Sequence, residues 1–325
     1  MQTVFGQELQ YLVLCREGNS EEHTARCDLG FIDPESMKLL LVNSSPGNGC
    51  SAASPEDCTG SFSGIGLQNF QLYKDSLYYQ IHTFRADDDA PIIEIWKADL
   101  DGTNQKKLFE LDFPKTDATW YDMLFRDDAL FCFDQKNSRL MKYDLKKDSL
   151  MTAADLSECE NISQINQDED GIYICAERYQ DHLNPVLKLG ADQSLEVIWD
   201  NAFAYYADSE KCLALEDGDL ENGRYCLLRK GYEPVVLGTG PHYALVNEDG
   251  FILTGWDTEK NITEFSCYDW DGTLLDTVLE QADSYPQIFK QNLLITTNNI
   301  YPIVDGRFQD PVSIESLRRE SGFTQ

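Results

Sequence analysis

A unit of about 40 residues recurs along the chain, and this repeat constrains the fold more than any other feature. Each copy holds an aromatic-rich segment, an acidic turn, an apolar second strand, a third strand, and an Asp/Gly turn before a last apolar strand. The second strands are marked by apolar runs at 11–14, 77–79, 130–133, 172–174, 213–215, 251–253 and 293–295. Four short strands in a repeat of this length are typical of a β-propeller blade.

The seven runs predict an all-β fold, a seven-bladed β-propeller of four-stranded antiparallel blades, and no helical pattern competes with it. We expect residues 1–325 to form this single domain. The first gap is longer than the others and contains residues 43–64, rich in Ser, Gly, Pro and Cys, which we interpret as an insertion loop. We also expect strands from both chain ends to share one blade, because this would cover an open sheet edge.

The chain carries a formal net charge of −31 and 42% hydrophobic residues. The apolar content is sufficient for a packed core, while so strong a negative field repels phosphate backbones and anionic lipid surfaces. No apolar run approaches the roughly 18 residues of a membrane span, and the first eight residues have neither the basic nor the apolar region of a signal sequence. We therefore expect no nucleic-acid partner and no transmembrane segment in this chain.

Ten cysteines are many for a cytosolic protein of this size and favour an oxidising compartment. Two pairs flank polar turns at nearly equal distances, and a third closes a short loop. These pairs are predicted as disulfides: Cys15 with Cys27, Cys212 with Cys226, and Cys50 with Cys58. The alternative is that half or more of the cysteines are buried thiols, because cysteine also behaves as a small hydrophobic residue.

The segments 77–79 (Leu-Tyr-Tyr) and 95–103 (Ile-Trp-Lys-Ala-Asp-Leu-Asp-Gly-Thr) resemble blades of bacterial extracytoplasmic propellers of the low-density-lipoprotein-receptor-like and Tol types. The loop Cys50 to Cys58, followed by residues 66–67 and 73–79, is similar to uncharacterised propeller lipoproteins of gut Firmicutes. The resemblance implies the fold and an extracellular or cell-surface location, with a signal or lipid anchor outside this chain. The loop departs from that pattern because it lacks a histidine, and the resemblance implies no chemistry.

Residues 268–276 (Tyr-Asp-Trp-Asp-Gly-Thr-Leu-Leu-Asp) match the first motif of haloacid-dehalogenase-type phosphatases, in which the first aspartate, here Asp269, is the nucleophile. Too little chain follows to supply the remaining catalytic groups of that fold. The same pattern also occurs at 99–103, where the repeat predicts a turn. We therefore interpret both segments as hairpin turns with Asp/Gly chemistry.

Metal and cofactor sites are not indicated by the remaining polar residues. The four histidines have no zinc-ligand spacing, and no Ser-His-Asp triad can be assigned. The acidic run 216–223 has its glycines in the wrong positions for a calcium-binding EF-hand loop. We predict no catalytic residue, no metal and no cofactor.

Aromatic residues are concentrated where the first strand of each repeat begins. In a propeller this strand lines the channel, and the loop before it opens onto a common ligand surface. The predicted ligand-binding residues are Trp120, Tyr121, Tyr205, Tyr206, His242, Tyr243 and Tyr285. The alternative is that these rings pack between blades as core, and a shift of one residue in register would exchange the two faces.

These observations predict a non-catalytic propeller module that binds an unknown protein, peptide or glycan outside the cytoplasm. Aromatic rings beside carboxylates suit such ligands, since flat rings stack while carboxylates accept hydrogen bonds. The alternative is an enzyme of the same fold, a glycan hydrolase or lyase, with its carboxylates at the channel mouth.

Overall fold

The structure is a computed structural model. It describes residues 10–19, 24–33, 38–41, 62–63, 67–84, 91–100, 102–112, 123–216, 223–239, 242–257, 259–281, 284, 286–290 and 292–320. Most of the predicted insertion 43–64 lies outside these residues. Contacts divide the chain into two compact units, residues 1–153 with 317–325 and residues 154–316. The prediction that residues 1–325 form a single domain stays a prediction.

The first unit is built from short antiparallel strands. They are β1 (Gln10–Asn19), β2 (Thr24–Asp33), β3 (Lys38–Leu41), β4 (Phe62–Ser63), β5 (Leu67–Tyr73), β6 (Ser76–Phe84), β7 (Pro91–Asp99), β8 (Lys106–Asp112), β9 (Leu124–Arg126), β10 (Ala129–Asp134), β11 (Arg139–Asp144) and β12 (Ser149–Asp155), the last of which crosses the unit boundary.

The second unit repeats the same pattern. Its elements are β13 (Cys159–Gln167), β14 (Ile172–Arg178), β15 (Val186–Leu189), β16 (Leu195–Trp199), β17 (Phe203–Ala207), β18 (Lys211–Glu216), β19 (Arg224–Arg229), β20 (Val235–Thr239), β21 (His242–Val246), β22 (Gly250–Asp257), β23 (Ile262–Asp269), β24 (Leu274–Gln281), β25 (Pro286–Lys290), β26 (Leu293–Thr296), β27 (Asn299–Val304), β28 (Arg307–Phe308), β29 (Val312–Ser313) and helix α1 (Ile314–Glu320), the last of which crosses the unit boundary.

The described strands form seven antiparallel sheets, which confirms the all-β fold and the four-strand repeat. Five sheets are complete meanders of four consecutive strands, from β5–β8 to β21–β24. The first and last sheets depart from this pattern, because β4 pairs with β2 and β29 pairs with β27. No sheet of described strands mixes strands from the two chain ends, so the shared blade that we expected is not formed in this part of the chain.

The apolar runs read from the sequence coincide with the second strands of six sheets, whereas the run 11–14 does not. It lies in β1, the first described strand of its sheet, and β2 occupies the second position. In the six matching sheets the second strand is nearly continuous core: all residues of β10 and of β26 are buried. A central strand is covered on both faces, so its sequence runs apolar without alternation.

Apolar clusters fill the spaces between consecutive sheets. In the second unit, Tyr173 and Val186 of one sheet pack with Ala204 and Cys212 of the next. Further clusters join β18–β19 with β22, and β22–β23 with β26–β27. Within the first unit, residues of β6–β7 pack with residues of β9–β11. The sheets β17–β20 and β21–β24 each lie between two of these clusters and therefore bury both faces.

The turns use the residues that the sequence pattern predicted. Asp127 and Asp128 join β9 to β10 with φ of 49° and 59°, which is the left-handed backbone of a two-residue hairpin turn. Asp269 and Asp99 make the same turn in different sheets: each accepts a backbone bond from a glycine three residues later and donates to the threonine carbonyl that follows. The phosphatase-like segment is thus the β23–β24 hairpin turn.

The cysteines divide into two groups. Six are buried free thiols: Cys132, Cys159, Cys175, Cys212, Cys226 and Cys267. The predicted bridge between Cys212 and Cys226 is not formed, because the register places Cys212 opposite Leu228 and Cys226 opposite Ala214. Cys15 and Cys27 lie directly opposite each other in β1 and β2. Cys50 and Cys58 lie outside the described residues.

Candidate functional site

The sequence predicts the ligand-binding aromatics at the first-strand end, which we define as the end of a sheet at which its first strand begins. Trp120, Tyr121 and Tyr285 lie outside the described residues. His242 begins β21, but its side chain is outside the described part. The structure therefore places the side chains of three of the seven residues.

Tyr205 and Tyr206 of β17 pack against neighbouring strands and are half-buried. The Tyr205 and Tyr225 hydroxyls are 3.1 Å apart, and their ring centres are 5.6 Å apart. The Tyr206 hydroxyl donates to Asp208 at 2.9 Å, and its ring centre lies 5.0 Å from that of Trp270 in the next complete sheet. Burial raises the pKa of both tyrosines, so both stay protonated. Tyr205 and Tyr206 therefore pack as core residues, which is the alternative interpretation of these rings.

Tyr243 of β21 is different, because 56% of its surface is exposed. Its ring centre lies 5.1 Å from that of Trp256, and the two planes are nearly perpendicular. Trp256 comes near the end of β22, so both rings are at the first-strand end of the same sheet. This pair keeps the exposed aromatic surface that the sequence predicted for that end, although Trp256 itself was not singled out.

The opposite end of each sheet, which we call the turn end, carries the turn between the first and second strands. In three consecutive sheets this turn is capped by one side chain, Asp168, Asp208 or Asn247, which accepts from the backbone N–H groups two and three residues later. Asp168 also accepts from the hydroxyls of Tyr173 at 2.9 Å and Ser209 at 3.2 Å. These carboxylates therefore hold turns and join sheets.

Lys211 makes two further contacts at the turn end. Its ammonium nitrogen lies 3.1 Å from the Asp208 carboxylate and 4.6 Å from the centre of the Trp270 ring. The indole N–H of Trp270 donates to the carbonyls of Asn247 and Glu248. A cation held between a carboxylate and an aromatic face is a structural link between two sheets.

Glu280 of β24 is a second acceptor that joins two sheets. Asn299 donates to its carboxylate at 2.7 Å and Tyr301 at 2.6 Å, both from the next sheet. Thr296 donates at 3.2 Å, and Ser284 also donates to the same oxygens. Burial and the bond to Glu280 raise the pKa of Tyr301, so this hydroxyl remains a donor. The sequence signal for Glu280 is weak, since it is one acid among 57 acidic residues.

A cleft of about 400 Å³ opens at the turn end between the sheet β21–β24 and the last sheet. Cys267 at the cleft is 3% exposed, and burial raises the pKa of its thiol to about 11. The thiol is therefore neutral at ordinary pH and is a poor nucleophile. The lining residues are Asp249, Gly250, Cys267, Tyr268, Leu275, Asn292, Ile303, Asp305 and Gly306.

The sequence predicts the ligand surface at the first-strand end, whereas this cleft lies at the opposite end, where two adjacent sheets together enclose it. The described residues contain no group of three or more His, Cys, Asp or Glu side chains arranged to hold a metal ion. None of the helices among these residues has the length and apolar character that a membrane crossing requires.

Solved structures of β-propellers resemble this chain. The propeller domain of the Trilobed protease from Pyrococcus furiosus, described with an open velcro topology, shares 10% identity and a TM-score of 0.56 over 95% of this chain and 93% of its own. Acylaminoacyl peptidase from Pyrococcus horikoshii shares 14% identity and a TM-score of 0.51 over 76% of this chain. The chain spans 45% of that peptidase. At these identities the similarity shows the fold alone, a β-propeller.

Sequence comparison gives no relative. No known family profile matches the chain, and no curated protein matches it. TolB from Acinetobacter baumannii is also similar in structure, with 13% identity and a TM-score of 0.45 over 92% of this chain and 78% of its own. Because no sequence relative is found, the resemblance to gut Firmicutes lipoproteins stays a prediction.

Proposed function

We propose that this chain is a non-catalytic, seven-bladed β-propeller that binds a protein or peptide outside the cytoplasm. The observation that carries the proposal is the exposed Tyr243 ring, held against Trp256 at the first-strand end of its sheet. A supported aromatic ring offers a large contact area and loses little conformational freedom on binding, which is why aromatics are enriched at binding surfaces.

Three carboxyl groups in turns lack the pKa shift that a glycan hydrolase needs in its acid. Hydrogen bonds within their own turns lower the pKa of all three: Lys147 acts on Asp144, Ser194 on Asp192, and Lys260 on Asp257. A glycan hydrolase needs a carboxylic acid whose pKa is raised, so that it can donate a proton near neutral pH. These acids are shifted in the opposite direction.

Two further features support the finer parts of the proposal. The described strands form seven sheets, one for each blade that we propose. Cys15 and Cys27 are register partners in the ladder of β1 and β2, a backbone placement that suits a cross-strand disulfide in an oxidising compartment. The compartment outside the cytoplasm is proposed on this pair and on the loop from Cys50 to Cys58.

Selection of binders from a random peptide library, followed by affinity measurement, tests the proposal. We expect Tyr243→Ala to weaken the selected peptides about tenfold or more, because a central aromatic contact carries much of the binding energy. Tyr232→Ala is the matched control, since Tyr232 is 70% exposed and lies between β19 and β20 at the turn end. Equal affinity for wild type and Tyr243→Ala would contradict the site, and turnover of a glycan substrate would contradict the function.

A further inference from the structure

The cleft between β21–β24 and the last sheet is separate from the proposed aromatic surface. Gly250 at the cleft and Trp256 at the first-strand end are the two ends of β22. At 3.3 Å per residue the six steps between them span about 20 Å. A ligand in the cleft would therefore not contact Tyr243.

Contacts within the chain hold the two walls of the cleft together. The backbone N–H of Phe308 in β28 donates to Asp276 of β24 at 2.9 Å. A Cβ atom at Gly306 would lie 2.3 Å from the Leu275 side chain, so the turn after β27 sits directly against β24. These contacts fix the distance between the two sheets at this end. The volume of about 400 Å³ lies toward the lower end of the range for ligand pockets, roughly 300–1,000 Å³.

The chemistry of the cleft changes from its inner part to its rim. Leu275, Ile303 and the neutral thiol of Cys267 give it an apolar surface, and the Cys267 thiol has no hydrogen-bond partner in the described part of the chain. Asp249 and Asp305 come from opposite walls, on the turns before β22 and after β27. Both are exposed.

Asp249 and Asp305 differ from the other turn acids. Asp168, Asp208 and Asp269 accept backbone N–H groups of their own turns. Among the described residues, neither the Asp249 nor the Asp305 carboxylate takes part in a hydrogen bond or an ion pair. These two negative charges therefore do not stabilise the surrounding turns through hydrogen bonds or ion pairs.

We propose that this cleft binds the arginine side chain of a polypeptide partner. The methylene stem of an arginine packs on apolar surface while its charged end reaches the rim. A guanidinium has five N–H donors in a planar fork, so one group can donate to two carboxylates at once, whereas a lysine ammonium is a compact point charge. The net charge of −31 attracts a cationic partner over a long range.

Saturation-transfer NMR at about 0.15 M salt tests this site with defined probes, at an ionic strength that screens distant charges. The probes are acetyl-Gly-Arg-Gly-amide and the matched peptide with citrulline, which has the same shape without the charge. We expect transfer to the arginine methylene protons and about tenfold weaker binding of the citrulline peptide, the size of effect that two solvent-exposed ion pairs give. Agmatine, a free guanidinium compound, is the third probe.

Two variants locate the binding. The pair Asp249→Asn with Asp305→Asn removes both charges and keeps the side-chain shapes, and we expect the arginine peptide to lose the same tenfold. Asn292→Trp fills the cleft from its exposed rim and gives the same loss without a change of charge. Asp310→Asn is the control, because Asp310 is exposed on the same sheet but does not line the cleft.

Several results would overturn the proposal. They are equal binding of the arginine and citrulline peptides, unchanged binding in the double variant or in Asn292→Trp, and an equal loss in Asp310→Asn. Agmatine binding as tightly as the peptide would assign the cleft to a small cation instead of a polypeptide. Tyr243→Ala leaves these measurements unchanged, so a failure of the aromatic surface and a failure of the cleft are distinguishable.

Discussion

The hydroxyl of Ser209 donates to the carboxylate of Asp168 at 3.2 Å, and this bond joins the first turns of two consecutive sheets. The same relationship occurs in the other unit, where the Asp128 N–H donates to the Tyr73 hydroxyl and Lys74 pairs with the Asp128 carboxylate. Asp168 thus has two roles: it caps its own hairpin and contacts the hairpin of a neighbouring sheet. In both units an acidic turn is a structural link between two sheets.

Asp168→Asn should destabilise the fold by about 1–2 kcal/mol, because it replaces an ionised acceptor of several hydrogen bonds. Burial would raise the pKa of Asp168, but hydrogen bonds from the Tyr173 hydroxyl and from backbone N–H groups lower it. The folded pKa lies below the unfolded value of about 3.9, so the contribution is present above that pH and is lost as the pH falls through the folded pKa.

Urea unfolding at pH 7 and near pH 3 measures this effect. The difference between wild type and Asp168→Asn should be largest at pH 7 and should shrink at the lower pH. Asp170→Asn is the control, since Asp170 is exposed in the same turn. A difference that grows on acidification would contradict the assignment.

Gly250→Ala should destabilise the protein by about 2 kcal/mol or more, because the new methyl group has no space. A Cβ atom at Gly250 would lie 2.0 Å from the Tyr268 carbonyl oxygen, a backbone atom that cannot move away. Gly171 occupies the equivalent position three residues after its turn cap, and its Cβ would meet only the flexible end of Lys188 at 2.9 Å. Thermal unfolding should therefore show a clear loss for Gly250→Ala and little loss for Gly171→Ala.

Thiol titration of the protein, produced in an oxidising host and denatured without reductant, should find six free thiols. These are the buried cysteines of the structure, and the remaining four are proposed as two disulfides. Cys27→Ser would release Cys15 and should give seven free thiols, whereas Cys267→Ser should give five. Ten free thiols in the wild type would contradict both bridges and weaken the proposed compartment.

Turnover of p-nitrophenyl phosphate with Mg²⁺ should be absent in the wild type and unchanged in Asp269→Asn. The Asp269 carboxylate accepts the N–H groups of Asp271 and Thr273 at 2.9 and 2.8 Å, so it is occupied by its own turn. Activity that Asp269→Asn abolishes would restore the phosphatase interpretation. Asp99→Asn, in the equivalent turn, is the control for non-specific loss of stability.

The fold class follows from the amino-acid sequence alone, because each repeat is a local pattern that indicates its own strands. The apolar runs at 77–79 and 293–295 are buried second strands, and the Asp/Gly segments are turns, since these depend on neighbours within a few residues. The prediction that the run 11–14 is a second strand is wrong, since the run lies in the first described strand of its sheet. The first repeat is irregular and contains several apolar segments of similar strength.

Which polar and aromatic side chains remain available for binding depends on how the sheets pack against one another. Tyr206 and Tyr243 look alike in sequence, yet Tyr206 packs against Trp270 of another sheet, more than 60 positions away, whereas Tyr243 is exposed. Asp168 and Asp249 lie in equivalent turns, but Asp168 caps its turn, whereas Asp249 lines a cleft between two sheets. Such roles arise from contacts between repeats, and a local pattern carries no information about them.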